Sequence, residues 1–183
     1  IVNGLVGSEM CIRDSYSPGL RGVVAGETEI STVGMEGTSL RYRGYDAIEL
    51  TKTHTYEDVA SLIIDDNLDG KLFKETFTDH YENLINDKDL IKIVENLKVR
   101  QHPMDVMRTA ISYIGEADES NKLEAASKVT AIACLVIASY NEEPSGKLDA
   151  DYTVASSLLP NTASNQQHEA LDDMLILYAE HGF

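Results

Sequence analysis

Cysteine is scarce in this sequence: Cys11 and Cys134 are the only two. One lies near the start and the other inside an apolar helical run, which makes neither a disulfide framework nor a zinc-ligand spacing. A reducing, cytoplasmic compartment is therefore expected. Positive charge is scarce as well, with 15 Lys+Arg against 31 Asp+Glu, a formal charge of -16 and a pI near 4.5. Such a balance opposes contact with phosphate backbones or anionic lipid, so neither nucleic acid nor a membrane is an expected partner. Long apolar runs are missing too. The best candidate, Val129 to Ser139, is about half of the roughly 20 residues a membrane span requires, and reads as a core helix of a soluble protein.

Familiar binding motifs are also wanting. There is no Gly-x-x-x-x-Gly-Lys loop and no Gly-x-Gly-x-x-Gly, so Gly22 and Gly26 signal turns rather than a nucleotide site. His54, His80 and His168 are far apart and show no H-x-x-x-H spacing, which favours solvated surface histidines over a metal site. No repeat period and no low-complexity tract appears. Residues 1–16 lack the basic and apolar regions of a signal peptide, and a single Arg13 is too little for a transit peptide. The stretch Gly4 to Ser15 resembles translated sequencing-adapter read-through. A non-native leader over 1–16, with native sequence from about Ser17, is the expectation.

What remains is ample for one core: 183 residues, of which 43% are hydrophobic. Glu29 to Val33 and Thr38 to Tyr42 are β-prone and separated by Gly34-Met35-Glu36-Gly37, a spacing that predicts a hairpin and the only sheet. Beyond it the pattern turns helical. Thr55 with Asp58 three residues later reads as a capping box for a helix over 56–65, with Val59, Leu62 and Ile63 on one face. Leu72, Phe73 and Phe77, then Leu90, Ile91, Val94 and Leu97, then Met104, Met107, Ile111 and Ile114 predict helices over 71–84, 87–98 and 103–115. Pro103 falls in the first turn of the last, where its missing N–H costs nothing. Residues 125–140 are apolar almost all round, as in a helix buried within a bundle. Glu142 to Asp149, with Pro144 and Gly146, reads as a loop, and two helices near 150–159 and 166–179 complete a mainly α fold.

Four segments carry chemistry. Asp65-Asp66-Asn67-Leu68-Asp69-Gly70 supplies oxygens at alternating positions and a glycine at the sharp turn, like a calcium-binding EF-hand loop over 65–76. However, Thr76 stands where a bidentate Glu is needed, Glu75 is one residue early, and no second loop pairs with it. An acidic helix–helix turn is the plainer reading. Tyr42-Arg43-Gly44-Tyr45-Asp46 packs a cation, two phenols and a carboxylate around a glycine, which suits a structural Arg–Asp and tyrosine network as well as a functional one. His102-Pro103-Met104-Asp105-Val106-Met107-Arg108-Thr109 puts His102 at a helix start and Arg108 a turn and a half in, with Met104 and Met107 expected in the core. Tyr178-Ala179-Glu180-His181-Gly182-Phe183 follows an apolar helix and offers a histidine able to donate or accept a proton near neutrality.

In order, these segments resemble the citrate synthase family from about Gly19 to Phe183. Gly22 to Thr28 with Ile30 to Val33 is similar to its opening β segment, Leu40 to Asp46 to its Leu-x-Tyr-Arg-Gly-Tyr-Asp, and Tyr56 to Ala60 to its next helix. His102 to Thr109 resembles its His-Pro-Met-Asp block, and Leu175 to Phe183 the segment with its first catalytic histidine. The forms His-Pro-Met-Asp-Val-Met-Arg-Thr and Tyr-Ala-Glu-His look more like the 2-methylcitrate synthases.

The resemblance implies part of an all-α large domain with a short N-terminal β-hairpin over 17–183, the small domain absent, and a homodimer for the intact protein. It implies condensation of acetyl-CoA or propanoyl-CoA with oxaloacetate followed by thioester hydrolysis, with no metal or redox cofactor. Enolisation beside a thioester needs a carboxylate base and a donor for the enolate oxygen. By analogy His181 is that donor, while His102 and Arg108 are candidates near the substrate. The aspartate base and second histidine belong to family segments beyond Phe183, so residues 1–183 alone are expected to be inactive and poorly behaved. Two departures stand out: Asn67-Leu68-Asp69-Gly70 replaces a common Gly-Glu-Leu-Pro, and Val154, Ser156 and Ser157 occupy a helix where some members carry an oxaloacetate-contacting histidine.

Overall fold

The computed structural model describes residues 28–32, 39–115, 121–141 and 152–180. Strands Ser31–Thr32 (β1) and Arg41–Tyr42 (β2) pair antiparallel, with Ser31 opposite Tyr42. The expected hairpin is thus present in shorter form; its turn, Gly34 to Gly37, lies outside the described residues. A strand that the sequence did not announce, Tyr45–Asp46 (β3), folds back onto β2 with Tyr45 opposite Tyr42. The connection is only Arg43-Gly44, and both residues have positive φ (44° and 88°), as a two-residue hairpin of the right twist requires. Glycine adopts this freely. Arg43 is held there by its own N–H on the Ile30 carbonyl at 2.8 Å and by its guanidinium on the Ile63 carbonyl at 3.0 Å.

Asp46 ends the sheet and begins a short helix, Ala47–Thr51 (α1), by accepting from the Ile48 and Glu49 N–H groups at 2.9 and 3.2 Å. Helix Tyr56–Asp65 (α2) starts at the anticipated capping box, in which Thr55 and Asp58 exchange side-chain and backbone bonds. It stops where Asp66 turns left-handed (φ 56°). Asp87 both terminates Lys71–Asn86 (α3) and caps Lys88–Lys98 (α4) through the Asp89 and Leu90 N–H groups. Pro103–Ile114 (α5) has its proline in the first turn, and Lys122–Tyr140 (α6) is capped by Asn121. Val154–Leu158 (α7) is shorter than the span expected over 150–159, and Asn165–Leu177 (α8) opens on a Ser164–Gln167 capping box.

α6 is the hub: it packs on α3 most extensively, and also on α2, α4, α5 and α7. Ala131, Ile132, Cys134, Leu135, Val136 and Ala138 are its buried residues near the C-terminal half. By length and composition its 19 residues are enough to cross a bilayer. Their burial against five other helices is instead that of a core helix, although Val129, Ile137 and Tyr140 are about 40% exposed. Across from α6, the rings of Phe77, Tyr81 and Tyr152 cluster with centroids 5.6–6.5 Å apart. Each such ring contributes on the order of 2 kcal/mol by leaving water.

Two residues placed in the core by pattern are outside it. Leu72 is 57% exposed and Met104 61% exposed. Neighbours on a helix diverge by about 100°, so Leu72 and Phe73 cannot share a face, and Phe73 takes the interior. Met104, in the first turn of α5, points away from the face on which Val106 and Ala110 are buried; Met107 does pack against the core.

A second, smaller cluster positions the end of the chain. Tyr42, Ala47, Leu50, Val59, Leu62 and Ile176 are buried together, joining the sheet, α1, α2 and α8.

Candidate active site

α8 leads to the segment with the candidate histidine. His181 itself lies outside the described residues, which end with Tyr178, Ala179 and Glu180 leaving the helix. Its last turn tightens, with the Tyr178 N–H on the Met174 carbonyl (3.0 Å) and the Ala179 N–H on the Ile176 carbonyl (3.2 Å). The Tyr42 hydroxyl, fully buried, donates to the same Ile176 carbonyl at 2.8 Å across 134 residues of sequence. Burial pushes the Tyr42 phenol above its ordinary pKa; the Glu180 N–H bonded to its oxygen pulls the other way, and the Glu180 carboxylate adds to the rise.

The Tyr42 to Asp46 segment is a structural brace, though not an Arg43–Asp46 pair. Arg43 faces the end of α2 and lies 3.8 Å from Asp66, while Asp46 accepts from the Ser39 hydroxyl and caps α1. Arg41 donates to the Gly44 carbonyl at 3.0 Å.

His102 caps α5, its Nδ1 accepting from the Met104 N–H at 3.2 Å. Arg108 pairs with Asp105 at 2.8 Å and is 78% exposed, so the guanidinium is open to a further partner. α5 packs on α4 and α6, whereas α8 packs on α1, α2 and α7. His102 and Arg108 thus stand on a different part of the bundle from the turn after α8.

Sequence reasoning missed a carboxylate cluster between α2, α7 and α8. Glu57 is 2% exposed; one oxygen accepts from the Val154 N–H at 2.8 Å at the start of α7, and the other is buried with no hydrogen-bond partner among the described residues. Asp172 on α8 accepts from the Tyr56 N–H with both oxygens at 3.2 Å. Desolvation, with Glu57, Asp173 and Asp58 nearby, raises its pKa to about 6 despite that N–H bond. Nothing in a linear pattern marks these residues, because Glu57 reads as a first-turn acid and Asp172 as one of a polar pair.

The acidic turn after α2 is used internally. Asp66 faces Arg43, Asp69 accepts from the Lys71 N–H at 3.1 Å, and Asp58 accepts from the Gly70 N–H at 2.8 Å. Among the described residues no cluster of three or more His, Cys, Asp or Glu side chains is placed to hold a metal ion. The three histidines read as solvated are each half-buried. His80 lines an open cleft of about 380 Å³ with Asn83, Asp87, Tyr113 and Lys128, and desolvation chiefly lowers its pKa, with Lys128 acting the same way.

The model of the citrate synthase C-terminal domain matches residues 19–183. The chain belongs to the citrate synthase family. It is 33% identical to a 2-methylcitrate synthase of Shewanella oneidensis over 90% of the chain and 48% of that protein. It is 32% identical to a citrate/2-methylcitrate synthase of Bacillus subtilis over 92% of the chain and 50% of that protein. The chain thus spans about half the length of these relatives. Among solved structures, a Thermoplasma acidophilum citrate synthase in ternary complex with carboxymethyl coenzyme A and oxaloacetate superposes with a TM-score of 0.74 at 21% identity, covering 92% of this chain and 49% of that one. A Thermotoga maritima citrate synthase gives 0.71 at 22%, covering 90% and 47%. These likenesses extend the citrate synthase fold to the helices and small sheet described above.

Proposed function

We propose that the full-length protein condenses an acyl-CoA, propanoyl or acetyl, with oxaloacetate and hydrolyses the resulting thioester, giving 2-methylcitrate or citrate and free coenzyme A. The observation that carries this reading is the family match over residues 19–183, together with relatives named for these two reactions. A base takes the proton α to the thioester carbonyl, the resulting enolate attacks the oxaloacetate ketone, and water then cleaves the thioester. No electrons change hands overall, so the chemistry calls for no redox cofactor. Charge on the enolate oxygen is the main barrier, and a positioned donor there is worth about 10²–10³ in kcat. His181 is assigned that role. His102 and Arg108 are assigned to substrate contact, Arg108 because its exposed guanidinium suits an anionic carboxylate or phosphate.

The intact enzyme is read as a cytoplasmic homodimer with no resident metal. Residues 1–16 are read as a non-native leader. Residues 1–183 alone are expected to be inactive, since the base and second histidine are sought downstream. The test measures thiol release from propanoyl-CoA and acetyl-CoA with and without oxaloacetate. The full-length protein should release coenzyme A only with oxaloacetate present, and residues 1–183 should release none. A full-length protein without oxaloacetate-dependent release overturns the proposal.

A further inference from the structure

We propose that the cleft lined by α3, α5 and α6 binds a small zwitterion, a free α-amino acid with an apolar side chain, whose carboxylate meets Lys128 and whose ammonium meets Asp87. Helices α3 and α5 both pack on α6, and all three contribute to the opening of about 380 Å³. That volume is at the small end of the range for ligand pockets. The α5 residues in its wall, Tyr113 and Ile114, end that helix, whereas His102 caps its start.

Two opposite charges line the cleft without neutralising each other. Lys128, half-buried on α6, is in no ion pair among the described residues, with Asp87 or with any other carboxylate. Asp87 commits one oxygen to capping α4: Oδ1 accepts from the Asp89 and Leu90 N–H groups, each at 3.0 Å. Its Oδ2 has no bond among the described residues. A simple anion is opposed here, because Asp79 and Glu124 add to Asp87 and stand near enough to act on the His80 ring. A simple cation is opposed by Lys128, which acts on the same ring. A molecule carrying both signs satisfies both walls, and the desolvation felt by His80 makes each charged contact stronger than in open water.

The uncharged lining suits the rest of such a ligand. The side chains of His80, Asn83 and Tyr113 make no hydrogen bond among the described residues, so their donors and acceptors are free for the polar end. Leu84, only 7% exposed, and Ile114 supply an apolar wall for an aliphatic side chain.

Titration calorimetry on the full-length protein tests this with L-leucine as the probe. Isocaproate, which lacks the ammonium, and isoamylamine, which lacks the carboxylate, are the comparisons. L-Leucine should bind once per chain with a Kd of about 1 mM or tighter. Each comparison compound should bind at least about 10-fold more weakly, the scale of one hydrogen bond to a charged group. Lys128→Gln and Asp87→Asn should each weaken L-leucine by a similar factor. Neither threatens the fold, since Lys128 is in no ion pair among the described residues and asparagine caps a helix as well as aspartate does. The inference is overturned by the absence of saturable heat from L-leucine up to about 10 mM. It is overturned equally if isocaproate or isoamylamine binds as tightly as L-leucine, or if either variant binds L-leucine as the wild type does.

Discussion

Replacing Gly70 by alanine puts a methyl carbon into space that is already filled. Gly70 has an ordinary φ of -77°, so backbone freedom does not explain it. Close approach does. A Cβ here would sit 2.8 Å from the Glu57 carbonyl oxygen and closer still to the Asp58 nitrogen and the Glu57 carbonyl carbon. These are backbone atoms in the first turn of α2, held by the capping box, and they have no rotamer by which to move aside. Overpacking costs about 1–3 kcal/mol, and a rigid backbone neighbour puts this case at the upper end. Any retreat of the turn also stretches the 2.8 Å bond from the Gly70 N–H to Asp58, worth about 1 kcal/mol. The expected loss is about 3 kcal/mol, or roughly 6–12 °C in Tm for a chain of this size. Urea unfolding followed by circular dichroism at 222 nm reads it directly. Asp69→Ala, which removes one exposed turn bond, should shift stability by less than about 1 kcal/mol. A Gly70→Ala variant within about 0.5 kcal/mol of wild type would refute the packing argument. So would calcium stabilising the wild type with Gly70→Ala abolishing the gain, since the glycine would then be serving an ion loop.

Other perturbations test separate contacts. Glu57→Ala strands the buried Val154 N–H and should cost about 1–3 kcal/mol by urea unfolding, whereas Glu57→Gln keeps an acceptor and should cost less. Asp172 is an acid whose folded pKa, about 6, exceeds its ordinary value near 3.8, so the folded state holds its proton longer than the unfolded chain. Stability from this group is therefore greatest at low pH and is lost as pH rises from about 4 to 6. With half-exposure discounting the effect to about 1 kcal/mol, Asp172→Asn should flatten that decline, and an unchanged pH profile would contradict the assignment. Burial pushes the Cys134 thiol up to about 12, so native protein should leave it unmodified by iodoacetamide, as read by peptide mass mapping, until urea unfolds the chain. Calorimetry with calcium should show no micromolar binding to the 65–76 segment.

How much of this was legible in the sequence depends on how local the cause is. Thr55 with Asp58 and Pro103 announce helix starts because a cap needs only three or four adjacent residues, and the structure begins α2 and α5 there. α1 went unread because five residues are too few for a period, and its one signal, Asp46, looked like part of a charged network. The Asp65 to Gly70 motif shows the converse. Its acids and glycine match an ion loop locally, but their partners are distant: Arg43 lies on the sheet and the Gly70 neighbours lie at the other end of α2. The Glu57 and Asp172 contacts, which join α2 to α7 and α8 across 97 and 116 residues, have no linear signature at all.

The same distinction bears on the candidate site. Family resemblance points to His181 through its flanking residues, yet what precedes it is shaped by Tyr42, in a strand near the other end of the described chain. Tyr42 and Arg43 reach the ends of α8 and α2 respectively, so the two-residue turn with its costly positive φ at Arg43 has a purpose beyond closing a hairpin. A wider turn would separate these two contacts and let α8 drift relative to α2. The strain is local and on the order of 1 kcal/mol, while the contacts it permits reach the ends of two helices. Tyr-Arg-Gly-Tyr-Asp thus reads more coherently as a joint between the ends of α8 and α2 than as a binding motif.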